Sequence, residues 1–147
     1  MTTTTDPTTY HGPDGEPQTL PEFITAHGIT GRIYAAEAHV RPPADFPGAR
    51  CWRVRLTNAR GEVLTTPFYT GAALDRPTVA DVLACLAIDY IEPGTTFEQW
   101  APELDYDTDS RKALALFHAV EEQSRALSAW LARPALVDEL RAAAQDY

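Results

Sequence analysis

The chain has 147 residues, with 21 acidic against 12 basic side chains and a net charge of −9. That length fits one domain with a real core, since a chain of this size buries roughly two thirds of its unfolded surface. The total charge excludes a protein whose whole field attracts nucleic acid or an anionic membrane. Two cysteines, Cys51 and Cys85, are too few for a disulfide framework, and no apolar stretch follows Met1 as a secretory leader would. No run approaches the roughly 18 apolar residues of a membrane span, so the expected setting is cytoplasmic.

Residues 1–18 read as a disordered tail. Six of the first nine residues are Thr, and Pro7, Gly12, Pro13, Gly15 and Pro17 follow, which leaves little apolar surface to offset the entropy of ordering. Residues 19–147 are expected to form a single α+β domain. Thr19 and Glu22 have capping-box spacing with Pro21 in the first turn, predicting a short helix to Ala26 or His27 that Gly28 stops. Residues 30–41 and 50–57 read as strands. In the second, Trp52, Val54 and Leu56 alternate with Cys51, Arg53, Arg55 and Thr57. Pro42, Pro43, Pro47 and Gly48 mark the loop between them. Asn58, Ala59, Arg60 and Gly61 read as a hairpin turn. Residues 62–69 return as a third strand, which Pro67 confines to an edge or a bulge.

The second half reads as helical. Thr78 and Asp81 form an N-cap pair after Pro77, and Val79, Val82, Leu83, Leu86 and Tyr90 share one helical face. Ile88 on the opposite face predicts cover on both sides of that helix. Thr95 and Glu98 repeat the capping spacing before a short helix carrying Phe97 and Trp100. The longest helix starts near Asp109 and carries the stripe Ala113, Leu116, Phe117, Val120, Ser124, Leu127 and Leu131. Pro134 opens a last helix with Leu136, Val137, Leu140 and Ala144 on its apolar face. Strands first and helices after predict an α+β fold: a small antiparallel three-stranded sheet packed against a C-terminal set of helices.

The charge is unevenly laid out. From Asp81 to Asp109 stand eight acidic residues and no basic one: Asp81, Asp89, Glu92, Glu98, Glu103, Asp105, Asp107 and Asp109. From Arg32 to Arg60 stand six arginines against Glu37 and Asp45. Two readings of the acidic stretch stand side by side. One is a solvated surface whose acids favour helix N-termini, where the macrodipole is positive. The other is a face, built on Asp89, Glu92, Glu98, Glu103, Asp105, Asp107 and Asp109, that meets a basic partner by standing in for phosphates. In the basic region, Arg53 and Arg55 should project opposite Trp52. With Tyr34 and Tyr69 nearby they outline a single-strand platform, or else a strand face kept polar for cross-strand pairing.

Signatures of chemistry are sparse. Asp105, Asp107 and Asp109 match the start of a calcium loop, but the turn glycine and terminal glutamate are replaced by Ser110 and Leu116, so helix capping by Thr108, Asp109 or Ser110 is the simpler account. No nucleophile elbow, phosphate-binding loop, HExxH or paired-cysteine zinc spacing is present. His11, His27, His39 and His118 are scattered. His118 lies opposite the apolar stripe of the longest helix, near Glu121 and Arg125 at ion-pair spacing. Cys51 and Cys85 read as small packing residues. The expectation is a protein with no catalytic residue, metal or cofactor.

An ordered set of short motifs resembles a known family. It runs Trp52-Arg53-Val54-x-Leu56, Pro67-Phe68-x-x-Gly71, Pro77-Thr78-x-x-Asp81-Val82-Leu83-x-Cys85-Leu86-Ala87-x-Asp89, Phe97-Glu98-x-Trp100, Tyr106-Asp107-x-Asp109-Ser110-Arg111-Lys112-Ala113 and Leu127-x-x-Trp130-Leu131. Over residues 19–133 the chain resembles small proteins encoded by bacteriophages and prophages; the Thr-rich tail and residues 133–147 depart from that pattern. The family brings no activity, so no catalytic residue is carried over. By analogy, small acidic phage proteins often inhibit host machinery, anti-CRISPR and anti-restriction proteins among them. The resemblance therefore implies an interaction protein that blocks a host nucleic-acid-processing defence enzyme. The alternative is a nucleic-acid-binding accessory protein using Arg53 and Arg55.

Overall fold

The computed structural model describes residues 18–42, 46–72, 75–145 and 147. Among them the order of elements is α1 (Leu20–Ala26), β1 (Thr30–Ala35), β2 (Arg50–Thr57), β3 (Val63–Thr70), α2 (Val79–Ile88), α3 (Phe97–Glu103), α4 (Arg111–Leu131) and α5 (Pro134–Ala144). The chain is an α+β protein: the strands form one antiparallel sheet in the order β1-β2-β3, and the long helices follow it. The tail expected over residues 1–18 lies outside the described residues, save Gln18, which is buried against the core.

Local chemistry accounts for most of the boundaries. Thr19 and Glu22 close a reciprocal capping box on α1, and Thr78 and Asp81 do the same on α2. On α3 the box falls one residue later than the sequence spacing predicts, on Thr96 and Gln99. Two adjacent threonines offer the same cap, and the one three residues before Gln99 takes it. Ser110 caps α4, whose helical residues begin at Arg111. β1 stops at Ala35 and does not reach residue 41. Beyond it Ala36 makes one backbone bond to Cys51, and the chain then turns on itself, the Val40 amide donating to the Glu37 carbonyl. Asn58 organises the hairpin by accepting from the amides of Arg60 and Glu62, and Gly61 sits at φ 80°, where a side chain would be strained. Pro67 is on the edge strand β3, in register opposite Arg53, with no bulge.

The sheet is two-faced. Ile33, Trp52, Val54, Leu56 and Leu64 point inward and join α1, α2, α5 and the C-terminal half of α4 in the main core. Gly31 lets α2 approach: a Cβ there would stand 2.7 Å from Val79 Cγ2 and 2.8 Å from Leu56 Cδ2. A second, smaller core lies at the other end of α4, where Ala113 and Phe117 pack with Ile91, Phe97 and Ala101. At about 1.5 Å per residue, the 21 residues of α4 put some 30 Å between its ends. Its C-terminal end is tied to the hairpin, because the Trp130 indole donates to the Glu62 carbonyl and the Trp130 carbonyl accepts from Asn58 and Arg60. Ile88 is the chief packing correction. It is 72% exposed, so α2 is covered on one side only.

Candidate functional site

The acidic residues fall into two groups once placed. Glu98, Glu103, Asp105, Asp107 and Asp109 lie on α3 and on the loop from it to α4, all exposed. None of these five forms an ion pair among the described residues. Asp89 and Glu92 lie earlier, in the connection from α2 to α3, and are otherwise engaged. Glu92 pairs with Arg141 of α5. Asp89 is the C-cap of α2, where the helix dipole is negative. Desolvation by the surrounding chain pushes its carboxyl above the ordinary aspartate range, although the side chain keeps contact with solvent. The acidic patch is therefore narrower than the sequence stretch and centred on the end of α3.

That end is held stiffly. Trp100 stacks on Tyr106 at 5.4 Å with the rings 17° apart, and Phe117 meets Trp100 at 5.3 Å and Phe97 at 5.7 Å. The loop turns sharply at Asp105, which takes φ 59°, a left-handed conformation that aspartate tolerates better than most residues. Asp107 accepts the Asp109 amide at 2.9 Å. That bond ties Asp107 and Asp109 into the run-in to the Ser110 cap. No group of three or more His, Cys, Asp or Glu side chains suited to hold a metal ion occurs among the described residues. On the same acidic loop the structure exposes Leu104 (54%) and Tyr106 (37%). Charge counting missed these two. Both sit between acids in a non-helical loop, where apolar periodicity has no meaning.

The arginine face is assembled by strand register. Outward positions pair Arg32 with Arg55, Tyr34 with Arg53, Arg53 with Pro67 and Cys51 with Tyr69. Arg53 and Arg55 stand opposite Trp52, and both tyrosines share their face. Arg53 donates to Glu37 at 2.6 Å, and that hydrogen bond raises its guanidinium further still. Arg32 was missed because only the pairing of β1 with β2 sets it beside Arg55.

The remaining candidates have structural partners. His27, the C-cap of α1, bonds Glu139 at 3.1 Å and packs on Phe23. His118 is on the solvated face, and Glu121 pairs with Arg125 at 3.0 Å. Cys85 is exposed, and desolvation raises its thiol, which argues against a reactive thiolate. Ser124, buried in the stripe of α4, accepts the Ile91 amide and donates to the Val120 carbonyl, joining the α2–α3 connection to α4.

No protein-family model, curated protein or solved structure matches the chain. No helix among the described residues is long and apolar enough to cross a membrane.

Proposed function

We propose that the chain is a non-enzymatic interaction protein of phage type, which docks the acidic end of α3 on a basic surface of a host nucleic-acid-processing defence enzyme. One observation carries this reading. Five exposed carboxylates without an ion pair among the described residues lie on α3 and the loop after it, and Leu104 and Tyr106 are exposed on that same loop, which stacked aromatics brace. An apolar centre with a charged rim is the anatomy of a specific protein interface. Carboxylates attract the basic grooves that enzymes use for nucleic acid, and such complementarity speeds encounter and fixes register. An inhibitor of the anti-CRISPR kind would act in this way. It works by occupation and needs no catalytic group, metal or cofactor.

The test is capture from host lysate on the immobilised chain, followed by competition. The expected partner is a nucleic-acid-binding protein that added nucleic acid displaces. It is lost when Glu98, Glu103, Asp105 and Asp107 are changed together to Lys. Retention of every captured protein by that variant would falsify the proposal.

A further inference from the structure

We propose that the outer face of the sheet is a binding site for single-stranded nucleic acid, independently of the acidic end of α3. The helices pack on the inner face, and the outer one carries a groove of about 280 Å³ lined in part by Tyr34, Arg53, Arg55, Pro67 and Tyr69. The decisive feature is Arg32 directly opposite Arg55 in the β1–β2 register. Facing residues on antiparallel strands have Cβ atoms about 5 Å apart, and like charges there repel. Neither arginine has an ion-pair partner among the described residues. By contrast Arg53, one step along β2, is held by Glu37. An uncompensated pair of guanidinium groups on an open face is relieved by an anion lying across both.

The neighbours of the pair say which anion. Tyr34 stands beside Arg32 on the same face of β1, and Tyr69 stands across from Cys51 on β3, so aromatic rings flank the line of arginines. Same-face positions on a strand are about 6.6 Å apart, a spacing that suits the backbone of an extended strand. Aromatic side chains stack unpaired bases, and arginines track the phosphates between them. A duplex buries its bases and cannot use Tyr34 or Tyr69 in this way. A free phosphate or an acidic peptide would use the arginines but leave the tyrosines idle.

Fluorescence anisotropy of the full chain with a labelled oligothymidylate tests this. The expected result is binding at about 50 mM salt that weakens as salt rises, counterions being released from the strand. Arg32→Ala with Arg55→Ala should reduce the magnitude of the log–log salt slope by about 1.4. Tyr34→Ala should weaken binding by about five- to 150-fold while leaving that slope unchanged. All these side chains are exposed, so each variant should keep the parent's melting transition; if the double variant did not, Arg55→Gln alone would report the same loss of slope by about half. No anisotropy change with the parent chain overturns the proposal, as does binding indifferent to the arginine pair. So does equal binding of a duplex or a polyglutamate peptide with no effect of Tyr34→Ala, which would make the face a general polyanion contact.

Discussion

Ser124→Ala removes one oxygen from the junction between the two cores. The hydroxyl accepts the Ile91 amide at 2.9 Å and donates to the Val120 carbonyl at 2.8 Å, and Ser124 and Ile91 are both buried. The Val120 carbonyl remains within the helix ladder. The Ile91 amide is left without a partner, and an orphaned buried donor costs about 1–3 kcal/mol. Alanine returns about 0.5 kcal/mol in helix propensity. The net expectation is a loss of about 0.5–2.5 kcal/mol, or a melting point lower by a few degrees for a chain of this size. The companion variant is Ser128→Ala on the same helix, whose hydroxyl has no partner among the described residues. It keeps the propensity gain without the loss and should be neutral or slightly stabilising. Urea titration of both gives the two signs, and amide exchange should show Ile91 losing protection. Equal stability of the two variants would mean that the Ile91–Ser124 bond does not hold the connection to α4.

Gly31→Ala should destabilise by about 1–3 kcal/mol, because its Cβ would overlap Val79 and the fully buried Leu56, which must shift to admit it. Gly48→Ala, with open space around it, should be neutral or stabilising by up to about 1 kcal/mol in the same denaturation assay. Arg55→Thr should raise stability by a few tenths of a kcal/mol in the absence of ligand, and the gain should shrink with added salt, since it comes from relieving repulsion from Arg32. Asp81 supplies a pH dependence. Desolvation pushes its carboxyl up, but hydrogen bonds from the Thr78 backbone, the Tyr147 hydroxyl and the Thr78 side chain outweigh it and hold the group below the ordinary aspartate range. A depressed folded-state value means stability that is complete above the unfolded value near pH 4 and is lost as pH falls through the folded one. Asp81→Asn should flatten the acid limb of a stability–pH curve; an unchanged limb would refute the assignment.

What the sequence makes legible is what neighbouring residues decide. The capping boxes of α1 and α2, the alternation of β2 and the stripe of α4 all rest on contacts within a few residues, and each is found where the pattern places it. What the sequence conceals depends on distant segments. Ile88 would be buried only if another element crossed the far side of α2, and none does among the described residues. Glu92 leaves the acidic patch because Arg141, 49 residues away, reaches it. Asp89 loses full membership because α2 ends there and desolvates it. Arg32 becomes a neighbour of Arg55 only through the pairing of two strands. Counting charge along the chain thus locates the acidic region but not which carboxylates are free within it.

The length of α4 makes the net charge a poor guide to either surface. The hairpin, which begins three residues beyond Arg55, is fastened to the C-terminal end of that helix, and the acidic loop sits at its N-terminal end, about 30 Å away. The screening length at physiological salt is about 8 Å. Each patch therefore acts on a partner through its own charges, and the −9 total does not repel a strand lying on Arg32 and Arg55. A double-mutant cycle measures this directly. Arg55→Thr and Glu103→Gln should change stability additively to within about 0.5 kcal/mol at physiological ionic strength, as independent distant sites do. A larger coupling would mean that the two surfaces share one field, and the acidic end would then weaken any anion binding on the sheet.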